Sequence, residues 1–118
     1  MGTFGAGNFD NDAALDLVSS VLEVATTEIE AFCDSDDVGV EDLEAIMAAV
    51  AIHLVLDEHC RAGAPKVEFA LRLRDKALAI FDEEIAELDP SGEFAAERRA
   101  VLVDTFAKYE AAARAQWE

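Results

Sequence analysis

The chain has 118 residues and a formal net charge of −17 at pH 7. This length fits one domain with an ordinary core, and a hydrophobic fraction of 53% argues against disorder. The strong negative charge repels phosphate backbones and anionic lipids, so we expect neither a nucleic acid nor a membrane as a partner.

Residues 1–9 predict an irregular arm before the first helix. Its glycines permit backbone angles that other residues avoid, and its two phenylalanines are expected to dock on the domain and fix the arm. Asp10 is the preferred N-cap of the following helix, with Asn11 or Asp12 as alternatives, because all three side chains suit the N–H groups of a helix start. The residues assigned to this arm and helix cap are Phe4, Gly5, Gly7, Phe9, Asp10, Asn11 and Asp12.

Two segments with helical periodicity come next. The first helix is predicted over about residues 11–32, and its apolar stripe consists of Leu15, Val18, Leu22, Ala25, Ile29 and Phe32. The second helix is predicted over about residues 40–61, and it is apolar nearly all round from Ala45 to Leu56. Such a helix is buried on most sides, either as the central member of a bundle or at a subunit interface.

Two further amphipathic segments complete the chain. The third helix is predicted from Pro65 or Lys66 to about Leu88. The fourth is predicted over about residues 91–116, with Asp89 as its cap and Pro90 at the first helical position. The inner face of the third is Val67, Ala70, Leu71, Leu78, Phe81, Ile85 and Leu88. The inner face of the fourth is Phe94, Val101, Leu102, Phe106, Tyr109, Ala113 and Trp117. Short links between four such helices predict an all-α fold, a single antiparallel four-helix bundle over residues 1–118.

Two loops resemble ligand-binding motifs only in part. Gly5-Ala6-Gly7 precedes a helix, as a phosphate-binding loop does, but no strand comes before it and Asp10 stands where a third small residue is required. The acidic turn at residues 34–39 matches a calcium loop at its first, third and sixth positions. Ala45 occupies the twelfth position, where calcium loops have a bidentate Glu. We therefore expect no phosphate or calcium site.

One cluster combines side chains that bind transition metals: His53, Asp57, Glu58, His59 and Cys60. His53 and Asp57 are four residues apart and share a helix face, whereas His59 lies well round the helix from His53. The favoured interpretation is a partly buried His53 that hydrogen-bonds to Asp57. The sequence thus predicts no catalytic residue, cofactor or metal site. An enzyme that uses His53, Asp57 and His59, or the carboxylates at the start of the first helix, remains an alternative.

The chain opens without a charged n-region or an apolar signal segment, so we expect it in the cytoplasm. Cys33 and Cys60 are then reduced, and packing is the expected role of both. The longest apolar run, residues 45–56, is too short to cross a membrane.

The opening of the chain resembles a family of small bacterial proteins of unknown function. The family usually has Trp where this chain has Phe4, and often Pro where it has Asn8. The match covers about a seventh of the chain and consists of Gly2, Gly5, Gly7, Phe9, Asp10, Asn11, Asp12, Ala13 and Asp16. The resemblance implies that the arm is a shared structural feature, and it implies no activity, substrate or catalytic residue.

The distribution of charge suggests a function. Residues 1–60 contain eight Asp, six Glu and neither Lys nor Arg, so they carry −14 of the net charge. This half attracts basic partners. The favoured hypothesis is a non-catalytic binding protein for a basic protein, in the manner of a toxin-neutralising immunity protein, with fast, salt-sensitive association. The alternatives are a structural homodimer through the apolar second helix and the metal- or carboxylate-dependent enzyme.

Overall fold

The fold is known from a computed structural model, which describes residues 5–60, 64–88 and 91–118. Over these ranges the chain forms four α-helices and no strand. The helices are α1 (Asp12–Asp34), α2 (Val40–Cys60), α3 (Val67–Leu88) and α4 (Glu93–Trp117). The prediction of an all-α four-helix bundle is therefore confirmed.

The helices pack as two hairpins, α1 with α2 and α3 with α4. The hairpins meet chiefly through α2, which also contacts α3 and α4, while α1 reaches only α3. Within the described ranges α1 and α4 are not neighbours, so they lie at opposite corners of the bundle. The molecule is elongated, 57 × 26 × 24 Å. Side chains of α1 and α2 that point away from the second hairpin consequently have no helix to cover them.

All four helices contribute to one apolar core. Its largest fully buried side chains are Ile29, Leu43, Val50, Leu73, Leu102 and Phe106. Burial of each such side chain contributes about 1.5–3 kcal/mol to stability. The predicted stripe of α1 is buried from Val18 to Phe32, whereas Leu15 is half-buried. In α3, Leu73 and Ala77 lie at the centre of the core although the predicted inner face omitted them.

The predicted inner face of α4 is partly wrong. Its buried residues are Leu102, Phe106, Tyr109 and Ala113, which follow one another at intervals of three and four. Phe94, Val101 and Trp117 are about half exposed, at 54%, 50% and 53%. Phe94 and Val101 fall outside the stripe that the helix turns towards its neighbours. Trp117 continues the spacing from Ala113, but it is in the last turn of α4, where its indole N–H donates to the Ala64 carbonyl.

The first helix begins one residue later than the preferred prediction. Asn11 is its N-cap: the backbone is extended there, and the side-chain Oδ1 accepts a hydrogen bond from the Ala14 amide at 2.8 Å. Asn11 was one of the alternatives, and the preferred N-cap, Asp10, is wrong. The carboxylate of Asp10 is directed back along the arm instead, as described below.

The starts of α4 and α2 are capped in ways that the sequence did not predict. Gly92, whose φ of 79° is left-handed, precedes α4 as its N-cap, so the predicted cap at Asp89 is wrong. Asp89 and Pro90 themselves lie outside the described residues. At the start of α2, the Val40 amide donates to Glu84 Oε1 of α3 at 3.3 Å. A carboxylate from a distant helix thus satisfies one of the amides at the positive end of α2.

Candidate functional site

The N-terminal arm folds around the carboxylate of Asp10. Asp10 Oδ2 accepts a hydrogen bond from the Gly7 amide at 2.9 Å, and the Asp10 amide donates to the Gly7 carbonyl at 3.1 Å. A Cβ atom at Gly5 or Gly7 would lie only 2.5 or 2.7 Å from Asp10 Oδ2. A side chain at either glycine would therefore displace the Asp10 carboxylate from this position, whereas Gly92 is the one glycine of the described residues with a positive φ.

The arm touches the far end of α2 through Phe9. The ring centroids of Phe9 and His59 are 5.8 Å apart, and Phe9 is half-buried. The predicted docking of this aromatic side chain is thus seen, and it places His59 in a contact with the arm. Phe4, the other aromatic residue of the arm, lies outside the described residues.

The two histidines of α2 occupy different environments. His53 is only 4% exposed, while His59 lies at the surface. Nε2 of His53 lies 3.2 Å from the hydroxyl oxygen of Thr26 on α1. The hydrogen bond predicted between His53 and Asp57 stays a prediction. In the described part of the chain no three His, Cys, Asp or Glu side chains come together as a metal site would require.

Burial shifts the acidity of two groups near the core. Desolvation raises the pKa of Tyr109, so its phenol stays neutral in the physiological range. Desolvation also raises the pKa of the Cys33 thiol, although Arg72 opposes part of this shift. A raised thiol pKa disfavours the reactive thiolate and agrees with a packing role for Cys33.

An apolar groove of about 530 Å³ lies between α1 and α2. We call it the α1/α2 groove; its walls are Val21, Val24, Ala25 and Glu28 of α1 and Ala45, Ala48, Ala49 and Ile52 of α2. Val21, Val24 and Ile52 are 51%, 70% and 46% exposed, which is unusual for large aliphatic side chains that line one continuous surface.

The apolar surface extends beyond the groove towards the end of α2. A shallower depression lined by Ala51, Ile52, Val55 and Leu56 continues it, and Val55 is 56% exposed. On α1, Leu17 lies one turn before Val21 and is 67% exposed. Leu17, Val21 and Val24 form a second apolar stripe on α1, which the sequence contained at helical spacing but which its interpretation missed.

The helices that form the groove carry only acidic fixed charge. Six Asp or Glu residues lie on α1 and five on α2, and neither helix contains Lys or Arg. Glu28 is part of the groove wall itself. Arginines of the second hairpin pair with two of these carboxylates, Arg72 with Asp34 at 3.4 Å and Arg98 with Glu44 at 3.3 Å. The remaining acidic groups give the surroundings of the groove a negative potential.

A second concavity, of about 340 Å³, combines acidic and aromatic side chains. It lies where the start of α2 meets the end of α3 and the start of α4, and Phe94, 54% exposed, forms one wall. The carboxylates that line it are those of Glu41, Glu44, Glu84 and Glu87. Carboxylates beside an aromatic ring suit a cationic side chain better than an anionic one.

The chain matches no protein-family model, no curated protein and no solved structure. No helix among the described residues has the length and apolar character needed to span a membrane.

Proposed function

We propose that this protein is a non-catalytic binding protein that holds a basic protein partner through the α1/α2 groove. The observation that carries the proposal is an apolar groove with exposed Val21, Val24 and Ile52, formed by two helices that have no Lys or Arg. An immunity protein that neutralises a basic toxin needs this combination, because apolar contact supplies affinity and negative charge attracts the toxin.

The groove suits a partner that presents one helix. Ala45 and Ala48 on the exposed side of α2 are small, so a helix backbone can approach closely at this side. The aliphatic side chains of Val21, Val24 and Ile52 would contact apolar residues that recur at every third or fourth position of the partner helix. Lys and Arg on the flanks of that helix would face the carboxylates of α1 and α2, which gives rapid, salt-sensitive association.

The test uses a synthetic amphipathic peptide of about 18 residues, with Leu on one face and Lys on the other, and a scrambled peptide of equal composition. We expect the amphipathic peptide to bind more tightly than the scrambled one. Raising NaCl from about 50 to about 300 mM should weaken binding several-fold, because the charges are then screened. Fluorescence anisotropy of the labelled peptide measures both effects.

The matched variants are Ala48→Arg and Ala107→Arg. Both replace an exposed alanine and add the same charge, but only Ala48 lines the groove, whereas Ala107 is on α4. Ala48→Arg should weaken binding of the amphipathic peptide at least about tenfold, and Ala107→Arg by no more than about twofold. Equal affinities of the two variants, or of the two peptides, would contradict the proposal.

A homodimer through α2 is the second candidate function. Ile52 and Val55 are exposed on α2, and a second copy could cover them. The charge opposes this assembly, because each copy brings −14 within its first 60 residues. Light scattering at about 0.5 M NaCl separates the candidates: a mass near 12.7 kDa contradicts the dimer, while twice that mass, lost in Ala48→Arg, supports it.

A further inference from the structure

A cavity of about 320 Å³ lies between the four helices, and each helix contributes at least one residue to its lining. Thr26 and Ile29 come from α1, His53 from α2, Phe69 from α3 and Tyr109 from α4. The volume is at the lower end of the range found for small-molecule pockets, and a position between bundle helices is a common place for one. This cavity is separate from the α1/α2 groove, with which it shares no lining residue.

The interior of the cavity combines aromatic rings with polar groups. The rings of His53 and Tyr109 meet edge to face, with centroids 6.1 Å apart and an interplanar angle of 72°, and both residues are almost fully buried. Phe69 and Ile29 supply the remaining apolar surface. The hydroxyl oxygen of Thr26, which also lines the cavity, lies 3.2 Å from His53 Nε2. A hydroxyl has one donor and two acceptor positions, so Thr26 can also bind a second partner.

The mouth of the cavity is fixed by the end of α4. The Trp117 indole N–H donates to the Ala64 carbonyl at 3.1 Å, and the Ala64 amide donates to Gln116 Oε1 at 3.2 Å. The Lys66 ammonium lies 5.7 Å from the centre of the Trp117 ring. These contacts hold the segment before α3 in place, so the opening exists before any ligand binds.

The charges around the cavity disfavour an anion. Glu30 and Lys66 both line the opening. Because their charges are opposite, together they favour neither a cationic nor an anionic ligand. The net charge of −17 for the whole chain repels anionic ligands. Aromatic rings together with the hydroxyl of Thr26 accordingly fit a planar, neutral molecule that carries a hydrogen-bonding group.

We propose that this cavity binds an uncharged planar aromatic molecule of about the size of indole, which packs against Phe69 beside the buried rings of His53 and Tyr109 and hydrogen-bonds to Thr26. The ligand binds independently of the basic protein partner, because the two sites have different walls. Loss of one activity therefore leaves the other measurable.

The test is a titration of the ¹⁵N-labelled full chain with indole, followed by heteronuclear NMR. We expect saturable shifts of the backbone amides of Thr26, His53 and Phe69. Benzoate, which is planar but anionic, should bind more weakly. Shifts confined to the α1/α2 groove, tighter binding of benzoate, or no saturation up to millimolar indole would overturn the proposal.

The matched variants are Thr26→Val and Thr27→Val. Valine preserves the shape of threonine and removes the hydroxyl, and Thr27 is exposed on the neighbouring position of α1. Thr26→Val should weaken indole binding by about two- to tenfold, the range expected for one hydrogen bond, while Thr27→Val leaves it unchanged. Circular dichroism verifies that both variants fold, and equal indole affinities of the two folded variants would contradict the role of Thr26.

Discussion

At the scale of single residues, Lys76 fastens the end of α1 to α3. Its ammonium donates to the carbonyl of Cys33 at 3.0 Å and to the carbonyl of Ser35, and it lies 5.4 Å from the centre of the Phe32 ring. The last turn of α1 has no basic residue of its own. Lys76 therefore supplies, from another helix, the positive charge that the negative end of α1 favours.

Replacement of Lys76 by Met keeps most of the aliphatic stem and removes the charge. We expect the free energy of unfolding to fall by about 1–2 kcal/mol, because two carbonyls lose a charged donor. Urea denaturation measures the change. Lys108→Met is the control, since Lys108 pairs only with exposed Asp104 on its own helix at 3.0 Å and should cost about 0.5 kcal/mol or less. Equal losses in both variants would show that the contacts of Lys76 with α1 are not stabilising.

At the scale of helices, periodicity in the sequence predicted each helix but only part of each face. The stripe of α1 was correct because its five buried residues keep the three- and four-residue spacing of a helix that packs on one side. The second helix was predicted to be buried on most sides, yet Ala48, Ile52 and Val55 are exposed. The sequence could not indicate which side of α2 faces solvent, because the apolar residues surround the helix and leave no polar stripe.

The candidate sites could not be predicted from the sequence, because they depend on contacts between residues that are far apart in the chain. The cavity needs Thr26, His53, Phe69 and Tyr109, which are on four helices and meet only through tertiary packing. The close approach of Asp10 to the arm glycines was likewise invisible, since a short Cβ distance depends on the folded path of the chain. The acidic half was read directly from composition, because counting charges needs no knowledge of contacts.

The α3/α4 hairpin is joined by a two-point ion pair between Asp82 and Arg99. Arg99 Nε and Nη2 donate to the two carboxylate oxygens of Asp82 at 2.9 and 3.1 Å. The hydrogen bonds from Arg99 hold the pKa of Asp82 below its ordinary value. A carboxyl with a lowered folded-state pKa stabilises the fold above its unfolded pKa of about 4, and this stabilisation is lost as the pH falls through the folded-state pKa.

Asp82→Asn should therefore lower the melting temperature at pH 7 by about one to three degrees, a modest loss because the pair is solvent-exposed. The difference from the unsubstituted chain should shrink as the pH falls below about 4. Glu83→Gln is the control, because it removes one negative charge from the adjacent exposed position. Thermal unfolding at several pH values measures the effect. A difference between Asp82→Asn and the original chain that does not vary with pH would contradict the assignment to the ion pair.

At the scale of the whole molecule, the uneven charge connects stability with binding. The Lys and Arg residues all lie after residue 60. Several of them form ion pairs within or between α3 and α4, such as Arg74 with Glu110 and Arg99 with Asp82. The first hairpin has no such internal compensation. Its carboxylates repel one another in the isolated protein, and a basic partner that covers them relieves this repulsion. The same charge that would attract the proposed partner thus destabilises the chain when it is alone.

The stability of the isolated chain should consequently rise with salt. Between about 20 and about 500 mM NaCl we expect the melting temperature to increase by several degrees, because screening weakens the repulsion among the acidic groups more than it weakens the exposed ion pairs. A double variant, Asp16→Asn with Glu23→Gln, removes two exposed carboxylates from α1. It should melt higher than the original chain at low salt and respond less to added NaCl. If the melting temperature instead fell as salt was added, the ion pairs of the second hairpin would outweigh the repulsion. The acidic half would then not destabilise the isolated chain, and a basic partner would have no repulsion to relieve.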